Sequence, residues 1–255
     1  MFCGLQFKAL KRKCKLNAIE LKDFSCYYKN KKEYVTALSH LDLTVNQGEF
    51  LVVVGESGSG KSTLLKACLG LADYFEGELL IDGEPIESID LKSGKYAYVR
   101  QEIALYPNLT IYENIAFPLR VMKTPQAEVD RRVKEIADII GMRLFLTRKP
   151  RQLSGGQQQR VAIGRALIKN PSFIFFDEPF SNVDVNLRAD LKLLVKNIHS
   201  QLKPTIVFVT HDLPEAFTLA ERIVVLEEGK IVEVGTPEQL KKNPQSELIK
   251  QYLMR

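Results

Sequence analysis

The chain has 255 residues, 45% hydrophobic and 26% charged, enough to bury a substantial core as one large domain or two small lobes. Its longest apolar stretches, such as Leu51 to Val54 and Phe173 to Phe176, fall far short of the roughly 20 residues that a membrane-spanning helix needs. The net charge of +5 (36 basic minus 31 acidic) is matched by Lys8, Lys11, Arg12, Lys13 and Lys15, so the rest is neutral, which argues against a dedicated nucleic-acid binder.

Those basic residues follow Phe2 and Leu5 with no apolar segment after them, so positions 1–17 read as a solvated basic extension and not as a secretory signal. The chain is expected to stay in the cytosol. Cys3, Cys14, Cys26 and Cys68 lack paired spacing and nearby histidines, the pattern of free thiols in a reducing compartment. Periodicity predicts strands at 18–25 and 41–45, then a buried strand at 50–54 ending in a glycine-rich loop and a helix over 62–71. Residues 102–170 have a different texture. Pro107, Pro118, Pro125 and Pro150 punctuate helical spacing at 127–140 and 157–168, as in an inserted helical lobe. Strand patterns return at 173–176, 205–209 and 222–226, with a helix over 186–201, so a mainly parallel α/β sheet is expected. Glu228-Gly229-Lys230 reads as a hairpin turn into 231–234, and the tail from Pro237 looks helical.

Between a strand and a helix stands Gly55-Glu56-Ser57-Gly58-Ser59-Gly60-Lys61-Ser62-Thr63, a G-x-x-x-x-G-K-[ST] phosphate loop. The glycines let successive backbone N–H groups turn inward around phosphate oxygens. The helix N-terminus adds positive potential, Lys61 reaches the β- and γ-phosphates, and the Ser62 hydroxyl is a ligand for Mg²⁺. The run 173–176 ends in Asp177 and Glu178, at the carboxyl end of a buried strand, where open α/β sheets bind ligands. Asp177 there would help hold Mg²⁺ and Glu178 would polarise an attacking water. The next strand ends in Thr210-His211-Asp212, which puts His211 on the same edge within reach of the γ-phosphate. Leu153-Ser154-Gly155-Gly156-Gln157 opens an amphipathic helix with Ser154 as N-cap and two glycines that leave amides open to an anion. One chain thus carries two phosphate-grade helix N-termini and needs one for its own nucleotide. The second could serve a neighbour's.

With these motifs together, the chain resembles the nucleotide-binding subunits of ABC transporters over residues 18–235. The resemblance implies an ABC-type P-loop NTPase fold: an ATP-binding core (18–101 and 171–236) with a mainly parallel sheet and an N-terminal antiparallel β subdomain, an inserted α-helical signature lobe (102–170), and a C-terminal helical tail (237–255). It further implies ATP and Mg²⁺ as cofactors and head-to-tail pairing with a second ATPase subunit, so that residues 153–157 close on ATP held by the partner's phosphate loop. Gln101 becomes the lobe-linking glutamine that senses Mg²⁺ and the γ-phosphate, residues 181–184 the loop crossing between sites, and Tyr28 the aromatic that stacks on adenine, with Tyr27 adjacent as the alternative. Glu56 departs from the small residue or proline of many relatives. The stretch 105–119 is similar to that of importer ATPases, where it forms the groove for a membrane subunit. Membrane-spanning permease subunits, an extracellular substrate-binding protein and a peripheral place on the cytoplasmic face of the membrane are then expected, and nucleic acid is not. About twenty residues follow Gly235, which weakens a sugar importer and leaves amino-acid, anion, peptide and lipid substrates open. An ATPase of a cell-division or iron–sulfur assembly complex is the alternative.

Overall fold

The computed structural model describes residues 17–30 and 33–254; the basic residues at 8–15, Cys3 and Cys14 lie outside them. Two long strands, β1 (Asn17–Asn30) and β2 (Glu33–Asn46), pair antiparallel, and β4 (Tyr74–Ile81) joins the other side of β1. With the short β5 (Glu84–Pro85) they form a four-stranded sheet in the order β2-β1-β4-β5. The predicted strands at 18–25 and 41–45 are the inner halves of β1 and β2. Their outer ends carry Tyr34 and Val35, which are exposed and give no alternation of apolar and polar residues.

The second sheet has six strands in the order β10-β9-β3-β8-β7-β6. β3 (Phe50–Val54), β6 (Tyr96–Val99), β7 (Phe173–Asp177), β8 (Thr205–Thr210) and β9 (Arg222–Glu227) run parallel, and β10 (Lys230–Gly235) returns antiparallel along β9. Every residue of β3, β7 and β8 is buried, the mark of a parallel sheet covered on both faces. Side-chain alternation divides the core between those faces. Phe50, Val52, Val54, Phe176 and Phe208 face one apolar cluster, while Leu51, Val53, Phe175, Val207 and Val209 face the other.

On the second face lie α1 (Lys61–Cys68) and the antiparallel sheet. On the first pack α2 (Ile111–Val121), α3 (Gln126–Ile139), α4 (Gly155–Leu167), α5 (Val185–Leu202) and α6 (Leu213–Leu219), followed in the chain by α7 (Pro237–Lys242) and α8 (Glu247–Leu253). Pro118 does not interrupt the helical lobe, as its sequence suggests, but sits inside α2. Its ring removes the donor for the carbonyl of Asn114 four residues back. The helix is held nonetheless by a Thr110–Glu113 capping box and by Asn114, whose fully buried amide donates to the carbonyls of Tyr106, Leu109 and Thr110 and accepts from the Tyr106 N–H. Among the described residues, no helix is long and apolar enough to cross a membrane.

Candidate active site

Register brings the chemistry to one edge. Val54 pairs with Thr210 and Val209 with Asp177, so the residues that follow β3, β7 and β8 leave the sheet side by side at one level. Adjacent strands are about 4.8 Å apart. The phosphate loop, Glu178 and His211 therefore occupy a single ledge at the carboxyl ends of three neighbouring strands, and β6 adds Tyr98 and Gln101 beyond β7.

The loop is shaped by close approach. A Cβ on Gly55 would stand 2.1 Å from the Leu226 carbonyl oxygen, and one on Gly60 would stand 2.7 Å from that of Ala37, where φ is +104°. Gly58, also in the left-handed region, faces open space. The β9–β10 turn grips the loop from outside, Gly229 donating its N–H to the Ser59 carbonyl and accepting from the Ser39 N–H. Ser57 is exposed, whereas the Ser59 hydroxyl is buried and, among the described residues, unpartnered. Gly60 caps α1 without a side-chain hydrogen bond, and the first turn carries no acidic residue. These amides are free of the usual side-chain acceptors, as an anion-binding helix start requires.

Lys61 is 4% exposed, donates from Nζ to the Glu56 carbonyl at 2.7 Å and lies 4.0 Å from Glu178 Oε1. Burial pushes its pKa down, and the charges of Glu178 and Asp177 oppose the shift. Ser62 donates to Asp177 Oδ1 at 2.7 Å. Glu178 and His211 Nδ1 meet at 2.8 Å, and Glu178 holds a left-handed backbone (φ 43°) while its N–H donates to the Val209 carbonyl. The strand end beside it is fixed by a second set of bonds. Thr210 Oγ1 donates to Glu215 Oε2 at 2.8 Å and accepts from the Asp212 N–H, and Asp212 caps α6. Burial pushes the Glu215 carboxyl above its ordinary range.

The pieces fit an Mg-nucleotide. Ser62 and Asp177 supply two oxygen donors next to uncapped helix amides, the sparse set that Mg²⁺ accepts when phosphates and water complete its shell. No cluster of three or more His, Cys, Asp or Glu suited to a metal occurs among the described residues, and such an ion does not call for one. Tyr28 lies on the phosphate-loop side, its hydroxyl 2.9 Å from Thr63 Oγ1, whereas the Tyr27 hydroxyl donates to Glu76. Gln101 is exposed, and its carbonyl accepts from Asn182 Nδ2. Ser154 caps α4 and accepts from the Gln157 N–H, while Gln157 Oε1 accepts from the Ser154 N–H; Gly155 is exposed and a Cβ there would meet nothing within 4 Å. Gly156 packs against Leu187 of α5. Among the described residues, none of these α4 residues is hydrogen-bonded to the phosphate loop. This second helix start is capped by Ser154 and exposes Gly155.

Sequence reasoning missed Tyr98, whose hydroxyl donates to Asp177 Oδ2 at 2.8 Å. Burial, and then this bond, push its phenol pKa up. The signal was the alternation Tyr96-Ala97-Tyr98-Val99, a strand of only four residues. Tyr98 also lines a 630 Å³ groove with Tyr106, Phe117, Val121 and Arg165, beside α2.

The sequence model for ABC transporters matches residues 38–181. The chain belongs to the ABC transporter family. Within that family it is 42% identical over 226 residues to the "sn-glycerol-3-phosphate import ATP-binding protein UgpC" of Bordetella avium, an alignment covering 88% of this chain and 63% of that protein. It is 45% identical over 210 residues to an ABC transporter ATP-binding protein of Sinorhizobium fredii, covering 82% and 57%. The chain thus spans about three-fifths of the length of these relatives. Among solved structures, the ATP-binding cassette MJ0796 in a dimeric post-hydrolysis state with ADP and Pi superposes with a TM-score of 0.75 at 35% identity, over 86% of this chain and 98% of that one. The α/β architecture is that of an ABC ATPase cassette.

Proposed function

We propose that this chain is an ATP-binding and ATP-hydrolysing subunit that powers import through separate membrane-spanning subunits. The observation that carries the reading is the shared ledge: uncapped phosphate-loop amides and Lys61, the Ser62–Asp177 pair and the Glu178–His211 pair converge on one sheet edge. Import is supported by the name of the Bordetella avium relative and by the groove beside α2.

The phosphate-loop amides, with Gly55, Ser57, Gly58, Ser59 and Gly60 shaping the turn, hold the phosphates, and Lys61 leaves the Glu56 carbonyl to meet them. Ser62 and Asp177 hold Mg²⁺, with Gln101 sensing it from the lobe boundary; when bound, the cation neutralises charge on the phosphates. Glu178 polarises the attacking water, and His211, anchored on Glu178, hydrogen-bonds the γ-phosphate. Thr63 steadies Tyr28 for stacking on adenine. With Ser154 and Gly155 exposed at the start of α4, the segment Ser154, Gly155, Gly156 and Gln157 completes the site of a second cassette, so two chains sandwich two nucleotides and separate after hydrolysis. The lobe then moves against a permease held in the groove, on the cytoplasmic face of the membrane, and an extracellular binding protein delivers the substrate.

Tagged Glu178→Gln protein purified with ATP from native membranes tests the whole assembly. Mass spectrometry is expected to identify polytopic membrane subunits. Recovery of soluble assembly factors alone would overturn the transport reading.

A further inference from the structure

The Asp177 carboxylate is 7% exposed and is held from two sides: Oδ1 accepts from Ser62 Oγ at 2.7 Å and Oδ2 accepts from Tyr98 OH at 2.8 Å. The two contacts differ in duty. Ser62 itself belongs to the proposed cation site, its oxygen lone pair serving the cation while its proton is donated to Asp177, so it holds the carboxylate on the cation side only. Tyr98 has no such second duty. It stands on β6 opposite Phe175, and Asp177 is the next residue along β7 on the same face, within diagonal reach of a long aromatic side chain. A carboxylate rotates readily about its last bond because that torsion is broad and roughly two-fold. Anchored through Ser62 alone, it would be held at one oxygen and free to turn about that torsion.

We propose that Tyr98 is a positioning residue of the divalent-cation site, whose hydroxyl fixes Asp177 through Oδ2 so that the Oδ1 side stays turned toward Ser62 and the cation. The proposal rests on the reading of Ser62 and Asp177 as the holders of Mg²⁺. Outer hydrogen bonds to a ligating carboxylate are typically worth about 10–100-fold in metal affinity. The competing view is that the phenol simply satisfies itself on the nearest acceptor; its removal would then leave the affinity unchanged.

The test uses Mn²⁺ as probe, with the protein saturated by a non-hydrolysable ATP analogue and free Mn²⁺ read by electron paramagnetic resonance. Tyr98→Phe is expected to weaken Mn²⁺ binding by about 10–100-fold while the analogue's affinity in chelator stays unchanged. Asp177→Asn should weaken it at least as much, and adding Tyr98→Phe to Asp177→Asn should cost nothing further, because the bond acts through that carboxylate. Mn²⁺ affinity within twofold of wild type in Tyr98→Phe, alongside a loss in Asp177→Asn, overturns the role of Tyr98 and leaves the cation site standing. Affinity within twofold in Asp177→Asn overturns the cation reading itself, and this proposal with it. Tyr98→Met, which keeps bulk without a hydroxyl, carries the same expectation should the phenylalanine variant fail to fold.

Discussion

Replacing Glu178 by glutamine separates chemistry from binding. The substitution keeps the shape and a polar end within reach of His211 Nδ1, 2.8 Å away, and leaves the left-handed backbone bond to the Val209 carbonyl intact. What it removes is one negative charge 4.0 Å from Lys61 Nζ, in a site where the two side chains are 4% and 17% exposed. A charge pair at that distance is worth about 4 kcal/mol at an effective dielectric of 20. Lys61 therefore becomes freer to serve phosphate, and a neighbouring anion that opposes phosphate is gone. Loss of a positioned base typically costs about 10²–10⁴ in rate, or about 3–5 kcal/mol of barrier. Phosphate release at saturating Mg-ATP should fall by that factor, while calorimetric ATP affinity holds or tightens. A variant that hydrolyses within threefold of wild type, or binds ATP tenfold more weakly, would refute the assignment of Glu178 as a water-polarising group that does not grip nucleotide.

Four other outcomes follow from the geometry. Gly155→Asp has room for its side chain in the single chain, so ATP binding to the monomer should survive while ATP-dependent dimerisation, followed by light scattering, fails; normal dimerisation would contradict the shared site. Gly60→Ala forces φ +104° on a side chain 2.7 Å from the Ala37 carbonyl; left-handed strain of about 1–3 kcal/mol should weaken ATP binding by roughly 5–150-fold, and an unchanged calorimetric affinity would count against a rigid cradle. Burial raises the Glu215 pKa, so its contribution to stability is present below the unfolded value and is lost as pH rises through the folded one. Glu215→Gln should accordingly raise the melting temperature at pH 8 and lose that advantage on acidification toward pH 5, and a gain that grows on acidification would reverse the sign. Burial pushes the Cys68 thiol up to about 12, so Cys68 should resist alkylation in native protein at pH 8 and react after denaturation; rapid native labelling, located by peptide mapping, would show the packing around α1 to be open.

By itself the sequence determined whatever depends on local order. The spacing of Gly55 to Thr63, the apolar runs ending at Asp177 and Thr210, and the Ser154 cap are short-range signals, and each puts chemistry at a strand end or helix start because of backbone geometry alone. The parallel sheet was legible for the same reason, since its buried strands read as unbroken apolar runs. Tertiary structure decided what depends on which strands become neighbours. The order β9-β3-β8-β7-β6 sets the phosphate loop beside His211 and Glu178, though more than a hundred residues of chain separate them. No periodicity encodes that order, because it follows from crossovers chosen by the packing of helices on both faces. Strand β6 was too short to announce itself, and α2 was hidden by Pro118, a residue that ends most helices but survives here because Asn114 and the Thr110–Glu113 box hold the turn around it. The contact of Tyr98 with Asp177 belongs to the same class: two residues far apart in the chain meet because strand register carries them to one face, a fact that only the folded sheet contains.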